Sequence, residues 1–251
     1  MHPPRFHCPT PLTVGVPVDL PERVAHHAIK VLRLRRGDAL ALFNGAGGEY
    51  RARIAAVERA KVSVEVSGWS ATEREAPLSI TLVQALQAGE KMDLTVQKAV
   101  ELGVERIVPV ISRRSVLRLD AERALRRLEH WRGVVVAACE QCGRNRLPEV
   151  VAPERLENWL TRCSAPGTVR LMLSLAGSCS LAKLPVPPVG GSVELLIGAE
   201  GGLAEEEVEL AALAGFFSVR LGPRILRTET AGLAALAAIQ VLWGDFKRGD
   251  D

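Results

Sequence analysis

Leu195-Leu-Ile-Gly-Ala-Glu-Gly-Gly-Leu-Ala-Glu-Glu-Glu207 and Leu221-Gly-Pro-Arg-Ile-Leu-Arg-Thr-Glu-Thr-Ala-Gly232 follow one local pattern twice. An apolar run enters a glycine-containing turn, and the turn leads into helical spacing. An α/β protein uses this arrangement to place loop backbone at the carboxyl ends of its strands. In the first stretch, Val193 to Ile197 reads as a buried strand and Gly198, Gly201 and Gly202 permit the sharp turn. Glu205 to Glu207 suit a first helical turn, where they face the positive end of the helix dipole. In the second, Phe217 to Leu221 reads as a strand, Gly222-Pro223 breaks it, and Thr228 offers a helix cap before the apolar run Leu233 to Leu242. Two such loops can form one floor for a ligand.

Upstream, Leu78 to Leu86 is strand-like, Met92 to Leu102 has helical spacing closed by Gly103, and Ile107 to Ile111 is a second strand. Strand, helix and strand with short links predict a βαβ unit and a parallel sheet. On the intervening helix Gln97 and Glu101 share a face at i and i+4, which favours a structural network. Leu119 to Cys142 reads as one long helix carrying Arg123, Arg126, Arg127 and Arg132. Gly143 releases it, so Arg144, Asn145 and Arg146 would project from a loop with donors suited to phosphate or a base edge. A helix-end ion-pair network is the competing account. Pro153 to Leu160 resembles a short helix and Val169 to Leu175 a strand, whose end at Leu173-Ser-Leu175 supplies a third wall for the cleft. Leu184 to Gly191 is a Pro- and Gly-rich connector.

The first 70 or so residues differ in kind. Ala39 to Phe43, Tyr50 to Val57 and Lys61 to Val66 form a β meander with glycine turns, and a helical interruption starts at Pro21. Gly45-Ala-Gly-Gly48 lies between two strands with no helix following, so it reads as a hairpin turn and not a phosphate loop. The polar stretch Ser70 to Pro77 places the domain boundary, giving residues 1–72 and 73–251.

Composition narrows the class. The chain has 251 residues, 47% hydrophobic and 24% charged, as expected of a soluble globular protein with a sizeable core. No apolar run approaches the roughly 20 residues needed to cross a bilayer, and the start lacks the apolar centre of a signal peptide, which points to the cytoplasm. Among five cysteines only Cys139 and Cys142 have suggestive spacing, and without a second pair they read as buried or partly buried thiols, so no metal is expected. The net charge of +3 is unevenly spread: residues 1–72 hold ten Lys/Arg against six Asp/Glu, and 113–146 hold nine against four. Basic excess confined to two segments points to an anionic partner, with nucleic acid the leading candidate. No Gly-x-Gly-x-x-Gly opens a helix, and neither a Gly-x-x-x-x-Gly-Lys-Ser/Thr loop nor a Gly-x-Ser-x-Gly elbow occurs, which disfavours phosphate-cleaving and covalent hydrolases.

The pair Ile197-Gly-Ala-Glu-Gly-Gly202 and Leu221-Gly-Pro-Arg-Ile-Leu-Arg-Thr-Glu-Thr230 resembles the signature of the ribosomal RNA small subunit methyltransferase E family, within the trefoil-knot (SPOUT) methyltransferases. Gln84-Ala-Leu-Gln-Ala-Gly-Glu-Lys-Met-Asp93, Gln97-Lys-Ala-Val-Glu-Leu-Gly-Val104 and Glu140-Gln-Cys-Gly-Arg-Asn-Arg146 extend the resemblance, as do His27, Val31-Leu-Arg33 and Gly37-Asp38. At position 199 the family commonly has proline where this chain has alanine.

The resemblance implies an α/β knotted methyltransferase domain with a parallel sheet, preceded by a small PUA-like RNA-binding β-barrel. It implies S-adenosylmethionine as cofactor, a homodimer, and methylation of N3 of a specific uridine in 16S ribosomal RNA within the small subunit. Under that reading the cofactor would be held by Leu173, by Leu196, Ile197, Gly198, Glu200 and Gly201, and by Leu221, Gly222, Ile225, Leu226 and Thr228, with the backbone around Leu196, Gly198, Gly201, Leu221, Gly222 and Leu226 mattering more than the side chains. Arg227, Thr228 and Glu229 are the candidate catalytic group: Arg227 to stabilise charge on a uracil oxygen, Glu229 or Glu200 to accept a proton. Arg5, Arg33, Arg144, Asn145 and Arg146 would face RNA. A non-catalytic RNA-binding ribosome-assembly factor, and a knotted methyltransferase acting on another RNA, remain the alternatives.

Overall fold

The computed structural model describes residues 3–59, 61–115 and 120–247, so the helix start expected at Leu119 lies outside the described residues. The chain divides into two compact units, Met1–Glu75 with Val136–Leu147 and Ala76–Val135 with Pro148–Asp251. Segment 136–147 thus packs with the N-terminal residues, an arrangement that one boundary near residue 72 does not describe.

In the first unit, strands β1 (Arg5–His7), β2 (Pro17–Asp19), β3 (Ala39–Phe43), β4 (Glu49–Glu58) and β5 (Lys61–Ser70) form a sheet in the order β1-β3-β4-β5-β2. β1 runs parallel to β3 and the other pairs are antiparallel. Along β5 the two-residue period puts Val62, Val64 and Val66 wholly inside. Val62 and Val64 meet Phe6, Leu40, Leu42 and Ile54, and the core is closed by Leu20, Val24, Ala25 and Ala28 from helix α1 (Glu22–His26) and its flanks. The helix continues as a π turn over His27–Val31. Arg33 then takes the left-handed conformation, φ 56°, and the helical path ends.

The second unit is a seven-stranded sheet in which every pair is parallel. Its elements are β6 (Ser79–Ala85), α2 (Lys91–Glu101), β7 (Arg106–Ile111), α3 (Ala121–Cys142, of which residues 136–142 belong to the first unit), β8 (Glu149–Val150), β9 (Glu154–Arg155), α4 (Leu156–Leu160), β10 (Val169–Leu173), β11 (Ser192–Ile197), α5 (Glu205–Leu213), β12 (Phe217–Val219) and α6 (Thr228–Trp243). The strand order is β12-β10-β11-β6-β7-β8, with β9 also on β7. Strands covered on both faces need near-continuous apolar sequence. Ile80, Leu82, Val83 and Ala85 of β6 and Val193, Leu195, Leu196 and Ile197 of β11 meet that demand, all at most 2% exposed. Helix α2 buries Met92, Val96, Ala99 and Val100, and α6 buries Gly232, Ala235, Leu236 and Ile239. The α6 amide of Gln240 donates to the carbonyl of Leu102 at 2.8 Å, which fixes one helix to the end of the other.

Two strands stop earlier than their apolar runs suggest. β10 ends at Leu173 and β12 at Val219 because the chain after β10 returns against β12. Ser174 N donates to Val219 O at 2.9 Å, and Arg220 N donates to Cys179 O at 3.2 Å. At Gly177 the two backbones come so close that a Cβ would stand 2.6 Å from the Val219 carbonyl carbon. Only glycine fits there.

Candidate functional site

Because β12, β10 and β11 are adjacent and parallel, their carboxyl ends share one edge of the sheet. The register pairs Met172 with Leu196 and Leu173 with Val219. Three loops therefore leave side by side and enclose a cavity of about 750 Å³, within the range of small-molecule sites. Leu173, Ile197, Gly198, Glu200, Gly201, Leu221, Gly222, Ile225 and Leu226 line it, as do Arg227, Thr228 and Glu229. Leu196 does not. Strand alternation turns its side chain to the other face, where it is fully buried with Val83, Leu156 and Met172.

The loop after β11 is a fixed turn. Gly202 N donates to Ala199 O at 2.8 Å, and a Cβ on Gly198 would meet the backbone of Gly202 and Leu203 at 2.8 and 2.9 Å. Ala199 itself is 4% exposed and packed into the core beneath the turn. Helix α5 begins after Ala204, which has no side chain able to cap it. Buried Glu207 serves instead, accepting from Ala204 N at 2.8 Å and from Arg113 N at 2.8 Å. Sequence reasoning took Glu207 only as a favourable charge in the first turn; its reach to Arg113 depends on a loop far away in the chain.

Thr228 is placed differently from the expected cap. Arg227 holds the N-cap position with extended backbone, and no side chain caps the helix. The Thr228 hydroxyl, nearly buried, donates across the cavity floor to Gly198 O at 2.6 Å and accepts from Gln84 Nε2 at 3.3 Å. One hydroxyl thus connects β6, the turn after β11 and the start of α6. Sequence reasoning assigned Gln84 no role.

Charge is concentrated at the rim. Lys91 Nζ lies 3.3 Å from Glu200 Oε1, and Ala88 N donates to the same oxygen at 3.4 Å. Burial raises the Glu200 pKa, but hydrogen bonds from its own backbone amide, from Lys91 and from Ala88 outweigh that, and the carboxyl is held below its ordinary value. Arg114 donates to Gly201 O at 2.9 Å and Arg220 to Gly222 O at 3.0 Å. Among the described residues, the exposed side chains of Arg224 and Arg227 meet no hydrogen-bond or ion-pair partner, and Glu229 keeps one buried carboxylate oxygen, Oε2, without a partner. The cavity therefore carries a fixed carboxylate, an uncommitted one and free guanidinium groups. That set can stabilise developing negative charge and accept a proton.

The five residues expected to face RNA separate into two groups, all within the first unit. Arg33 and Arg146 are exposed. Arg5, Arg144 and Asn145 are interior groups, which corrects the expectation of a projecting loop. Asn145 is fully buried and Arg144 is 5% exposed. Arg144 pairs with Glu75 through Nε at 2.9 Å and through Nη2. Asn145 Nδ2 donates to Thr72 O at 2.6 Å, and its Oδ1 accepts from Arg5 Nη2 at 2.6 Å. Arg5 also pairs with Glu49, and its guanidinium lies 5.2 Å from the Phe43 ring centre. Buried charges persist only when paired and hydrogen-bonded, and here both guanidinium groups are paired with carboxylates within the unit, although Arg5 Nε itself has no hydrogen-bond partner among the described residues. Cys139 is buried beside this network, and burial pushes its thiol up to about 12. Among the described residues no group of three or more His, Cys, Asp or Glu is placed to hold a metal. No helix there is long and apolar enough to cross a membrane.

Residues 74–240 match the family described as an RNA methyltransferase domain, and residues 20–67 match that described as an RNA methyltransferase PUA domain. Parallel sheet, glycine-turn cavity and N-terminal β unit together define an α/β RNA methyltransferase of the SPOUT class with a PUA-like domain. A ribosomal RNA small subunit methyltransferase E from Neisseria gonorrhoeae, solved bound to S-adenosylmethionine, is 42% identical, with 98% of this chain and 100% of that one covered and a TM-score of 0.90. A Legionella pneumophila protein solved with the same cofactor is 36% identical over 98% and 100% of the two chains, with a TM-score of 0.93. The ribosomal RNA small subunit methyltransferase E of Buchnera aphidicola is 34% identical over 96% of this chain and 97% of its own length. The chain belongs to the ribosomal RNA small subunit methyltransferase E family.

Proposed function

We propose that this protein transfers the methyl group of S-adenosylmethionine to N3 of one uridine in 16S ribosomal RNA. The observation that carries the proposal is the 750 Å³ cavity built from three glycine-bearing strand ends, in a chain whose relatives of near-equal length were solved with that cofactor. The residues present fit such a ligand. Leu173, Leu221, Leu226 and Val219 supply apolar walls for an adenine ring, and Gly198, whose missing side chain lets the turn close on Gly202 and Leu203, presents its backbone to the cavity. When bound, S-adenosylmethionine supplies an electrophilic methyl group on a positively charged sulfur.

The protein's own residues then have two tasks. Uridine N3 carries a proton near neutral pH, so its lone pair becomes available only as that proton leaves and charge spreads to the uracil oxygens. Free Arg227 is suited to stabilise that charge. Glu229 is suited to take the proton, because Glu200 is already committed to Lys91 and Ala88. A base stacked in a duplex hides its N3 edge, so the substrate is folded RNA with an accessible uridine. RNA delivery falls to the PUA-like domain, read as residues 1–72, with Arg33 and Arg146 of the first unit as its exposed cations. The proposal extends to a cytoplasmic homodimer, which light scattering of the purified protein checks.

The test is mass mapping of methylated nucleotides in 16S ribosomal RNA from cells with and without the protein, with calorimetry of S-adenosylmethionine binding in parallel. Loss of one N3-methyluridine on deletion is the expected result. An unchanged map with no cofactor binding would leave an RNA-binding assembly factor; cofactor binding with a change in another RNA would reassign the substrate.

A further inference from the structure

Gln84 lies outside the cavity lining, yet it stands next to the last residue of β6, directly opposite Ile197, the residue before the Gly198 turn. We propose that Gln84 is a positioning residue: it fixes the direction of the Thr228 hydroxyl and, through it, the orientation of the Gly198 carbonyl on which the ligand cradle is built. The inference rests on the methyl-donor site proposed above.

The direction of the chain follows from the groups at its two ends. Gln84 Nε2 stands 3.0 Å from Ala85 O and 3.3 Å from Thr228 Oγ1. A carbonyl only accepts, so the side of the amide facing Ala85 O must be the NH₂ group and not the oxygen. Its second proton is then directed at Thr228. At the other end Thr228 Oγ1 lies 2.6 Å from Gly198 O, which again only accepts, so the single hydroxyl proton belongs to that bond. Gln84 donates, Thr228 relays and Gly198 accepts. No alternative direction satisfies both carbonyls.

Two consequences follow. Thr228 has no proton left to give a substrate, so it positions and does not act as an acid. One lone pair of the Gly198 carbonyl is also permanently occupied, so its peptide plane is held and only the remaining acceptor direction is open to a ligand. The surroundings are built to keep this arrangement. Gln84 is fully buried and packed between neighbours: even a Cβ on Gly232 would make ordinary contact with both Gln84 Oε1 and Ile197 at 3.5 Å.

The experiment is a double-mutant cycle on S-adenosylmethionine affinity, measured by calorimetry on the full chain, with melting temperature recorded without ligand. Gln84→Met fills the space without a donor; Thr228→Val removes the hydroxyl. Each is expected to weaken binding roughly 5- to 30-fold, the loss of one buried hydrogen bond. The double variant is expected to bind no worse than Thr228→Val alone, because both changes break one chain. Thr228→Ser, which keeps the hydroxyl, recovers most of the affinity. Under saturating cofactor and RNA, kcat of Gln84→Met moves less than about 3-fold, since that side chain lies outside the cavity lining.

Wild-type affinity in Gln84→Met, or losses that multiply in the double variant, overturns the relay. If Gln84→Met does not fold, the Thr228→Val and Thr228→Ser pair decides, and equal affinities for the two overturn it. Absence of binding by the wild-type chain would instead overturn the methyl-donor site, and the relay's role with it.

Discussion

Replacing Gly198 by alanine tests the cavity floor at its tightest point. The added Cβ would lie 2.8 Å from the carbonyl carbon of Gly202 and 2.9 Å from Leu203 N, against a comfortable separation of about 3.5–4.0 Å. Both obstacles are backbone, so no side chain can swing away. The turn is also held from two sides, by Gly202 N on Ala199 O and by the Thr228 hydroxyl on Gly198 O. Relief therefore requires a shift of roughly 0.6–1.2 Å in a segment with little slack. Overpacking of this kind costs about 1–3 kcal/mol, and at about 2–4 °C per kcal/mol for a chain of this size the melting temperature should fall by roughly 2–12 °C. Affinity for S-adenosylmethionine should fall about 10-fold or more, because the displaced loop is the cradle. Differential scanning calorimetry and titration calorimetry read the two effects. Gly232→Ala is the control: its Cβ meets only ordinary contacts of 3.5 Å or more, and alanine is favoured over glycine within a helix by about 0.5–1 kcal/mol. If Gly198→Ala melts and binds like the wild type, or Gly232→Ala is equally damaging, the close-approach reasoning is wrong.

Arg144→Ala should lower stability by about 1–3 kcal/mol, because it removes the buried partner of half-buried Glu75; a urea midpoint identical to wild type would return Arg144 to a purely RNA-facing role. Cys139, with its thiol pushed up to about 12, should resist iodoacetamide at pH 8 in the native protein while exposed Cys163 reacts, as read by peptide mass mapping. The folded pKa is raised, so the stabilisation from keeping this thiol protonated is complete below the unfolded value near 9 and is lost as pH climbs toward 12; a native state whose Cys139Ala variant shows the same alkaline stability profile would contradict it. Arg227→Ala should melt within about 1 °C of wild type, since the side chain has no partner among the described residues, yet slow methyl transfer about 10²-fold or more; unchanged turnover would remove it from the charge-stabilising role.

The alternation of Val62, Val64 and Val66 and the unbroken apolar runs of β6, β7 and β11 made the two kinds of sheet legible before any coordinates, because burial on one face or both imposes different periods on a strand. The glycine turns after β11 and β12 likewise marked the edge where a cavity would open. What local pattern did not carry was the choice of partner. Arg5, Arg144 and Asn145 looked like exposed donors because their acceptors, Glu49, Glu75 and Thr72, lie far along the chain from some of them. Only a folded unit shows whether such an acceptor is present. Thr228 read as a cap for the same reason: its actual acceptor is a carbonyl on a different strand's loop. Leu196 was assigned to the ligand through its backbone, and the two-residue strand period, which sends its side chain to the core, leaves only that backbone to serve. Strand order, which decides that β10 separates β11 from β12, has no local signature at all.

That strand order bears on how the protein comes to be made. β6 emerges early and β11, the neighbour it must accept, is synthesised more than half the unit later, while the floor of the cavity also waits for α6. Pairings between remote segments close slowly, because the chain between them must be gathered first. Throughout translation the flank of β6 that will receive β11 stays uncovered, an open apolar edge of the kind that invites association with other nascent chains. The second unit should therefore depend on a protective holder until α6 is released, and its ability to bind ligand should appear abruptly once α6 is in place.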